Sequence, residues 1–340
     1  MIVTVTPNPS LDVALHVDEL RRGEVHRATA ERHDAGGKGL NVSRALAQNG
    51  VRNRAVMPLG GSAGQDLLAL LKGQTALEAV AVPIAGATRS NVGVVEPDGT
   101  LTKVNAAGPV LSAVELTALH AAILEAAEGA SWVVLAGSLP KGVDADFYAS
   151  LVGPLHALGA RVALDSSGGA FGRGLAAGPD LVKPNVHELA EVLGRALTTV
   201  GDLVDGARAL RDHGPRTVLA SAGPDGAVAV HGGGALHGEP PPIVPASSVG
   251  AGDAMLAGWI AAHERHPDDL PAALTAALAW GAGAASLPGS RMPGPGHLHP
   301  EAVRVHATPD RDRPLEEAAA PRASASPTTV PDTTTEGPLR

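Results

Sequence analysis

Four short segments of this chain set chemically useful side chains beside turns that free the backbone. The clearest is Ser248-Val249-Gly250-Ala251-Gly252-Asp253-Ala254-Met255. A small-residue turn opens an apolar helix there. The first turn of a helix leaves N–H groups unpaired at its positive dipole end, which makes an anion site. Asp253 falls within that turn. A carboxylate beside an anion-binding turn is placed to take a proton from a hydroxyl attacking a phosphoryl group, with the Gly250, Ala251 and Gly252 backbone holding the anion. An Asp that merely favours a helix N-terminus reads the same way. Met255 occupies the last position of G-x-G-x-x-G, so the segment is no dinucleotide fingerprint.

The second segment is Ala35-Gly36-Gly37-Lys38-Gly39-Leu40-Asn41. Its glycines let a ligand approach the backbone, and Lys38 adds a point charge suited to phosphate. It is not a Walker A loop, because Arg32 stands where the first glycine belongs and Gly39 where Ser or Thr belongs. A glycine-rich turn with a solvated lysine is the plain alternative. In the third, Thr6-Pro7-Asn8-Pro9-Ser10-Leu11-Asp12, two prolines stiffen a turn that ends on a carboxylate able to accept from sugar hydroxyls, or a simple Asx turn. In the fourth, Lys183-Pro184-Asn185-Val186-His187-Glu188, Asn185 and Glu188 lie three apart. That pair suits a hydrated Mg²⁺, and equally an Asn–Glu capping box. A fifth segment, Gly60-Gly61-Ser62-Ala63-Gly64, matches G-x-S-x-G. It comes early in the chain without a His-Gly-Gly segment before it, so a serine hydrolase is the weaker expectation.

These segments need elements to position them, and the chain alternates strands with helices. Strands are expected at Ile2–Val5, Arg54–Pro58, Trp132–Ala136, Arg161–Asp165, Leu181–Lys183 and Thr217–Ala220, with a hairpin over 227–237. Helices are expected at Leu40–Asn49, Gln65–Lys72, Leu111–Glu128, Asp146–Leu158, 251–263 and 271–286. The alternation predicts an α/β fold with a mainly parallel sheet covered on both faces, its site at the carboxyl ends of the strands. Asp12, Ser138, Asp165, Asn185, Glu188 and 249–253 all follow strands. Residues 13–33 and 88–105 break the alternation and read as β-ribbons, the second turning at Pro97-Asp98-Gly99, that together form a small lid.

Composition narrows the class. Of 340 residues, 44% are hydrophobic and 18% charged, as in an ordinary soluble globular protein. The chain has no cysteine, which excludes a disulfide scaffold, a Cys-ligated zinc and a cysteine nucleophile. Twenty-six Lys and Arg against 35 Asp and Glu give a net charge of −9, against nucleic-acid or anionic-membrane partners. The start lacks a basic n-region and the apolar stretch 271–288 is interrupted, so no signal peptide or membrane span is expected and a cytoplasmic protein is the default. From Ala307 the chain turns rich in Pro, Ser, Thr and Ala, which predicts a globular domain over 1–306 and a disordered tail over 307–340.

The pieces TPNPSLD, GEVHR, AGGKGLNVSRAL, TRSNVGVVEPDGTLTKVN, LAGSLPKG, DSSGGAF, LVKPNVHEL and SVGAGDAMLAG, in this order, resemble the ribokinase/pfkB carbohydrate kinase family, in its hexose-phosphate branch. The resemblance covers residues 1–305. It implies a ribokinase-like fold with a β-lid that often forms a homodimer interface, and it implies ATP and Mg²⁺. It also implies transfer to a sugar phosphate, fructose 1-phosphate ahead of tagatose 6-phosphate or fructose 6-phosphate; a non-catalytic sugar-phosphate sensor is a remote alternative. Carried onto this chain, Asp253 is the base and the Gly250–Asp253 backbone the anion hole. Asp12, Gly37, Lys38 and Asn41 hold the sugar phosphate, with Ser138 lining its pocket and Arg89, Lys103 and Arg27 adding charge. Lys183, Asn185 and Glu188 serve the ATP phosphates and Mg²⁺, while Ser221, Gly223 and Gly226 border the nucleotide. Ala222 and Ser247 depart from the family's usual larger apolar residue and Asn, and neither departure removes a charge.

Overall fold

The computed structural model describes residues 1–319. Short β-branched runs build its central sheet. Among the described residues ten strands lie in the spatial order Arg304–His306, Gly234–Glu239, Ala227–His231, Thr217–Ser221, Leu181–Val182, Arg161–Asp165, Trp132–Ala136, Ile2–Val5, Asn53–Leu59, Leu77–Pro83. The run from Thr217–Ser221 to Leu77–Pro83 is parallel, and the other edge is antiparallel. Strands such as Ile2–Val5 are buried throughout because helices cover both faces.

Side-chain alternation divides the core between those faces. Val3, Val5, Val133 and Leu135 pack with the helices Ala113–Ala126, Phe147–Ala157, Gly168–Ala176, Val186–Leu193 and Val200–Arg211. Ile2, Trp132 and Val134 pack with Lys38–Gln48, Ala251–Arg265 and Leu270–Ala285. The parallel strands end at Val5, Ala136, Asp165, Val182 and Ser221, so the turns after them converge on one rim.

The two ribbons form a separate four-stranded sheet ordered Ala30–Gly36, Ser10–His16, Arg89–Val95, Leu101–Val104. The last pair is an antiparallel hairpin with Val95 opposite Leu101. The helix Gly61–Leu71 supports the base of this sheet through a small cluster that includes Ala35, Leu40 and Leu67.

The expected boundary at residue 307 is corrected. Pro314–Ala319 forms a strand antiparallel to Leu197–Thr199, and Leu315 is only 6% exposed. The composition of the segment hides this because one leucine and a borrowed backbone ladder are enough to dock a short strand. Burial of such a side chain contributes about 1.5–3 kcal/mol. The remainder of the expected tail, 320–340, lies outside the described residues.

Candidate active site

A cavity of about 1200 Å³ opens at the rim where the parallel strands end. Lys38, Lys183, Asn185, Glu188, Ser221, Gly223, Gly226, Gly250, Ala251, Gly252 and Asp253 all line it. The far wall is Pro240–Pro242, Ile243 and Pro245, facing Ala282 and Ala285 of the helix Leu270–Ala285. The volume and the apolar walls suit a nucleotide.

The centre of the cavity is a buried charge cluster. Lys38 Nζ lies 2.7 Å from Asp165 Oδ1 and 3.7 Å from Glu188 Oε1. Lys183 Nζ lies 3.1 Å from Asp165 Oδ2. Asp165 is 1% exposed; burial pushes its carboxyl up, but Lys183 and Lys38 outweigh that and hold it below the usual carboxylate range. Burial likewise opposes the Lys38 ammonium, and Asp165 and Glu188 together keep it above its ordinary value. Lys38 therefore keeps the charge that phosphate binding requires.

Asp253 differs from Asp165 because neither lysine forms an ion pair with it. Burial, and then the charge of Asp165, push its pKa up to about 6. Asn41 Nδ2 donates to Asp253 Oδ2 at 2.9 Å, and Arg44 Nη1 donates to Asn41 Oδ1 at 3.2 Å. The arginine thus orients the amide that aims the carboxylate. Gly250 stands before the helix Ala251–Arg265 with φ 81°, and no side chain caps that helix. The Ala251 N–H is occupied by Ser248 O at 3.3 Å, which leaves the N–H groups of Gly250, Gly252 and Asp253 as the candidate anion donors of this turn. A Cβ on Gly252 would sit 3.1 Å from Lys183 Nζ, which shows how closely that ammonium approaches this turn.

The Asn–Glu pair is a capping box. Glu188 N donates to Asn185 Oδ1 at 2.8 Å, and Asn185 N donates to Glu188 Oε2 at 2.9 Å. That leaves Glu188 Oε1 beside Lys38. Among the described residues no three His, Asp or Glu side chains converge as a metal cage. One such carboxylate oxygen fits an Mg²⁺ that keeps its waters and takes phosphate oxygens as ligands, and Asn185 reaches such an ion only through water.

A second group lies where the lid meets the body. Ser10 Oγ and Asn91 Nδ2 both donate to Asp12 Oδ1, at 2.7 and 2.9 Å, leaving Oδ2 for another donor. Gly36 gives the carboxylate room, since a Cβ there would collide with it. Gly37, with φ 122°, packs on Thr6 and leads into the helix Lys38–Gln48. Arg89 donates to Asn8 O and Ala106 O, both at 2.9 Å, and its Nε is buried without a partner. Asn8 Nδ2 donates to Ser138 Oγ at 3.4 Å. Residues 36–41 join this group to the cavity.

Two expected residues stand apart. Lys103 shares a sheet face with Asp12, but by register it lies roughly 12 Å away, on the exposed edge strand. Arg27 is exposed in the loop 17–29, whose return to the sheet is fixed by Thr29 N donating to His16 O, at the opposite end of the strand from Ser10. Neither side chain makes a hydrogen bond or ion pair among the described residues. Ser62 is exposed in the first turn of its helix with no histidine bonded to it, which removes the hydrolase reading.

The chain matches the family model for pfkB family carbohydrate kinases over residues 8–295. It belongs to that family. This pfkB chain is 42% identical over 299 residues to 1-phosphofructokinase of Rhodobacter capsulatus, covering 87% of this chain and 94% of that one. It is 36% identical over 263 residues to ATP-dependent 6-phosphofructokinase isozyme 2 of Escherichia coli strain K12, covering 75% and 83%. The crystal structure of phosphofructokinase-2 from Escherichia coli in complex with potassium matches its fold with a TM-score of 0.82 at 33% identity, over 87% of this chain and 96% of that one.

Asp165, Arg44, Asn91 and Asn8 belong to the site but were given no role by the sequence reading. Arg44 carried a usable signal, since it follows Asn41 by one helical turn. Asp165 carried one as well, the carboxylate ending a buried strand. Among the described residues no helix is long and apolar enough to cross a membrane.

Proposed function

We propose that this chain transfers the γ-phosphoryl group of ATP to fructose 1-phosphate, giving fructose 1,6-bisphosphate and ADP. The observation that carries the reading is Asp253, buried at an uncapped helix N-terminus and aimed by Asn41, beside two lysines. Its depressed acidity suits a base working near neutral pH. Fructose 1-phosphate is preferred because the 42% identical relative is a 1-phosphofructokinase, against 36% for the 6-phosphofructokinase.

In this reading the triphosphate lies along Lys183 and the Gly250–Asp253 turn, with the nucleoside toward Ser221, Gly223, Gly226 and the proline wall and Lys38 between the triphosphate and the sugar phosphate. The sugar phosphate lies toward Asp12, Gly37, Asn41 and Ser138, with Arg89 near its phosphate. A sugar phosphate brings about two negative charges toward a triphosphate that carries more, and the lysines offset that repulsion. Asp253 accepts the proton of the attacking hydroxyl as the phosphoryl group leaves ADP, and the backbone N–H groups hold the charge spread over its oxygens. Mg²⁺, when bound with ATP, supplies further neutralisation of the phosphates, with Glu188 its carboxylate and Asn185 reached through water. The tip of the lid hairpin borders the cavity at Gly99, so closure excludes water from the transfer. Arg27 and Lys103 act only if the lid or a second subunit brings them in. ATP and sugar phosphates are cytoplasmic metabolites, which sets the cytoplasm as the place of action.

The test is ADP release by the purified protein with ATP and Mg²⁺, comparing fructose 1-phosphate, fructose 6-phosphate, tagatose 6-phosphate and free sugars. The expected result is the highest kcat/KM for fructose 1-phosphate. Preference for another ester overturns the substrate, and absence of turnover with every ester overturns the activity.

A further inference from the structure

The residues beyond the family match bear on the nucleotide side of the cavity. The turn Ala222–Gly226 closes on itself, with Ala222 N donating to Gly226 O at 2.8 Å and Gly226 N to Gly223 O at 3.1 Å. Four of its five residues line the cavity, and the exception is Asp225. Asp225 is 3% exposed and points to the body of the protein. Among the described residues its carboxylate takes one hydrogen bond, from the backbone N–H of Glu316 at 2.7 Å. His237 Nε2 donates to its carbonyl at 3.0 Å.

Glu316 sits in the strand Pro314–Ala319, which is itself firmly held. Leu315 joins the same core cluster as Leu197, Val200 and Ala222. The approach to the strand is fixed by Val200 N donating to Arg313 O and Gly201 N donating to Arg311 O, both at 2.9 Å. Arg313 Nη1 adds a 2.6 Å bond to Glu239 Oε1. A docked strand outside residues 8–295 therefore grips the one residue of the nucleotide turn that faces away from the ligand.

We propose that Pro314–Ala319 is a strap that positions the nucleotide turn through the Glu316–Asp225 hydrogen bond, making Asp225 a positioning residue for ATP. This rests on the reading that the cavity takes ATP. A turn of small residues has few side chains with which to fix itself. Its two glycines at positive φ, Gly223 and Gly226, leave the unligated backbone more conformations than other residues would. A buried carboxylate bonded from outside removes that freedom before the nucleotide arrives, and pre-organisation of this kind appears as affinity.

The experiment compares full-length variants by steady-state kinetics in both substrates, ADP binding by calorimetry and thermal midpoint. Glu316→Ala keeps the donating N–H and removes only an exposed side chain, so every constant stays at its starting value. Glu316→Pro deletes the N–H but keeps Leu315. It raises the KM for ATP and the Kd for ADP about tenfold, the scale of a lost hydrogen bond to a charged acceptor. The KM for sugar phosphate and kcat stay within about twofold. Asp225→Ala, which alters no strap residue, does the same, and the double variant adds little beyond either single one. An unchanged ADP Kd in Glu316→Pro and Asp225→Ala overturns the strap. So does a loss spread evenly over kcat, both KM values and the thermal midpoint, which is general damage to the fold. Failure of the unaltered protein to bind ADP instead overturns the nucleotide reading itself.

Discussion

At the scale of the residue, the pKa of about 6 at Asp253 makes two separate predictions. A base must be ionised, so kcat/KM rises with pH through an apparent pKa near that value, as a free-enzyme group would report. Asp165→Asn removes a neighbouring negative charge and frees two ammonium groups, and both changes favour ionised Asp253. The acid limb measured across pH 4.5–8 therefore moves to lower pH, and a limb that stays in place contradicts the coupling. The second prediction concerns stability. Between the ordinary carboxylate value of 3.8 and about 6 the folded protein keeps a proton on Asp253 that the unfolded chain has released. The favourable contribution is complete below 3.8 and is lost as pH rises through about 6, so at pH 7 the ionised carboxylate is a cost. Asp253→Asn removes that cost, which is about 3 kcal/mol, and keeps an acceptor for Asn41. The variant melts higher than the unaltered protein at pH 7 while kcat falls by a factor of about 10²–10⁴. A variant that melts lower, or turns over normally, contradicts the assignment.

At the scale of the element, the contact between two lid strands and one carboxylate decides how the sugar side is built. Asp12 lies against Gly36 of the neighbouring strand, and there is no room for a Cβ between them. Gly36→Ala pushes Asp12 aside and strains the strand pair. The expected outcome is a KM for sugar phosphate raised about tenfold or more with the KM for ATP little changed; equal effects on both substrates contradict a sugar-side role for Asp12. Local pattern made much of this scale legible. Ile2–Val5, Trp132–Ala136 and Arg161–Asp165 are apolar runs bounded by turns, and their observed limits are the expected ones. The helix Gly168–Ala176 was not legible, because GGAFGRGLA contains four glycines and is held by the burial of Phe171 and Leu175, a tertiary effect. The strand pair Leu197–Thr199 and Pro314–Ala319 was hidden for the same reason, since neither member has a local signal. In the site, the Gly250–Asp253 turn was legible because a helix start is local. The Lys38–Asp165–Lys183 cluster was not, because the sheet alone brings residues 127 apart in the chain into contact.

At the scale of the whole molecule, the lid leaves an apolar face that nothing among the described residues covers. Register places Val13, Leu15, Val92, Val94 and Val104 on one side of the lid sheet, opposite the side that carries Asp12. Leu11 and Ala35, on the same side nearer the base, are buried against the body. The outer members are only half-buried, and Val104 is 67% exposed. Antiparallel sheets that face water on one side carry polar residues there, and a contiguous β-branched patch marks a surface that meets a partner. The face is self-complementary in character, and packing two copies about a two-fold axis would bury it from both subunits at once. The protein is therefore expected to sediment at twice the mass of one chain at micromolar concentration. Val92→Lys places a charge in the middle of the face, where burial without a partner costs more than the contact returns. That variant sediments as a monomer while keeping the far-ultraviolet circular dichroism of the unaltered protein. A monomeric unaltered protein, or a dimer that survives Val92→Lys, would mean that this face is not the interface.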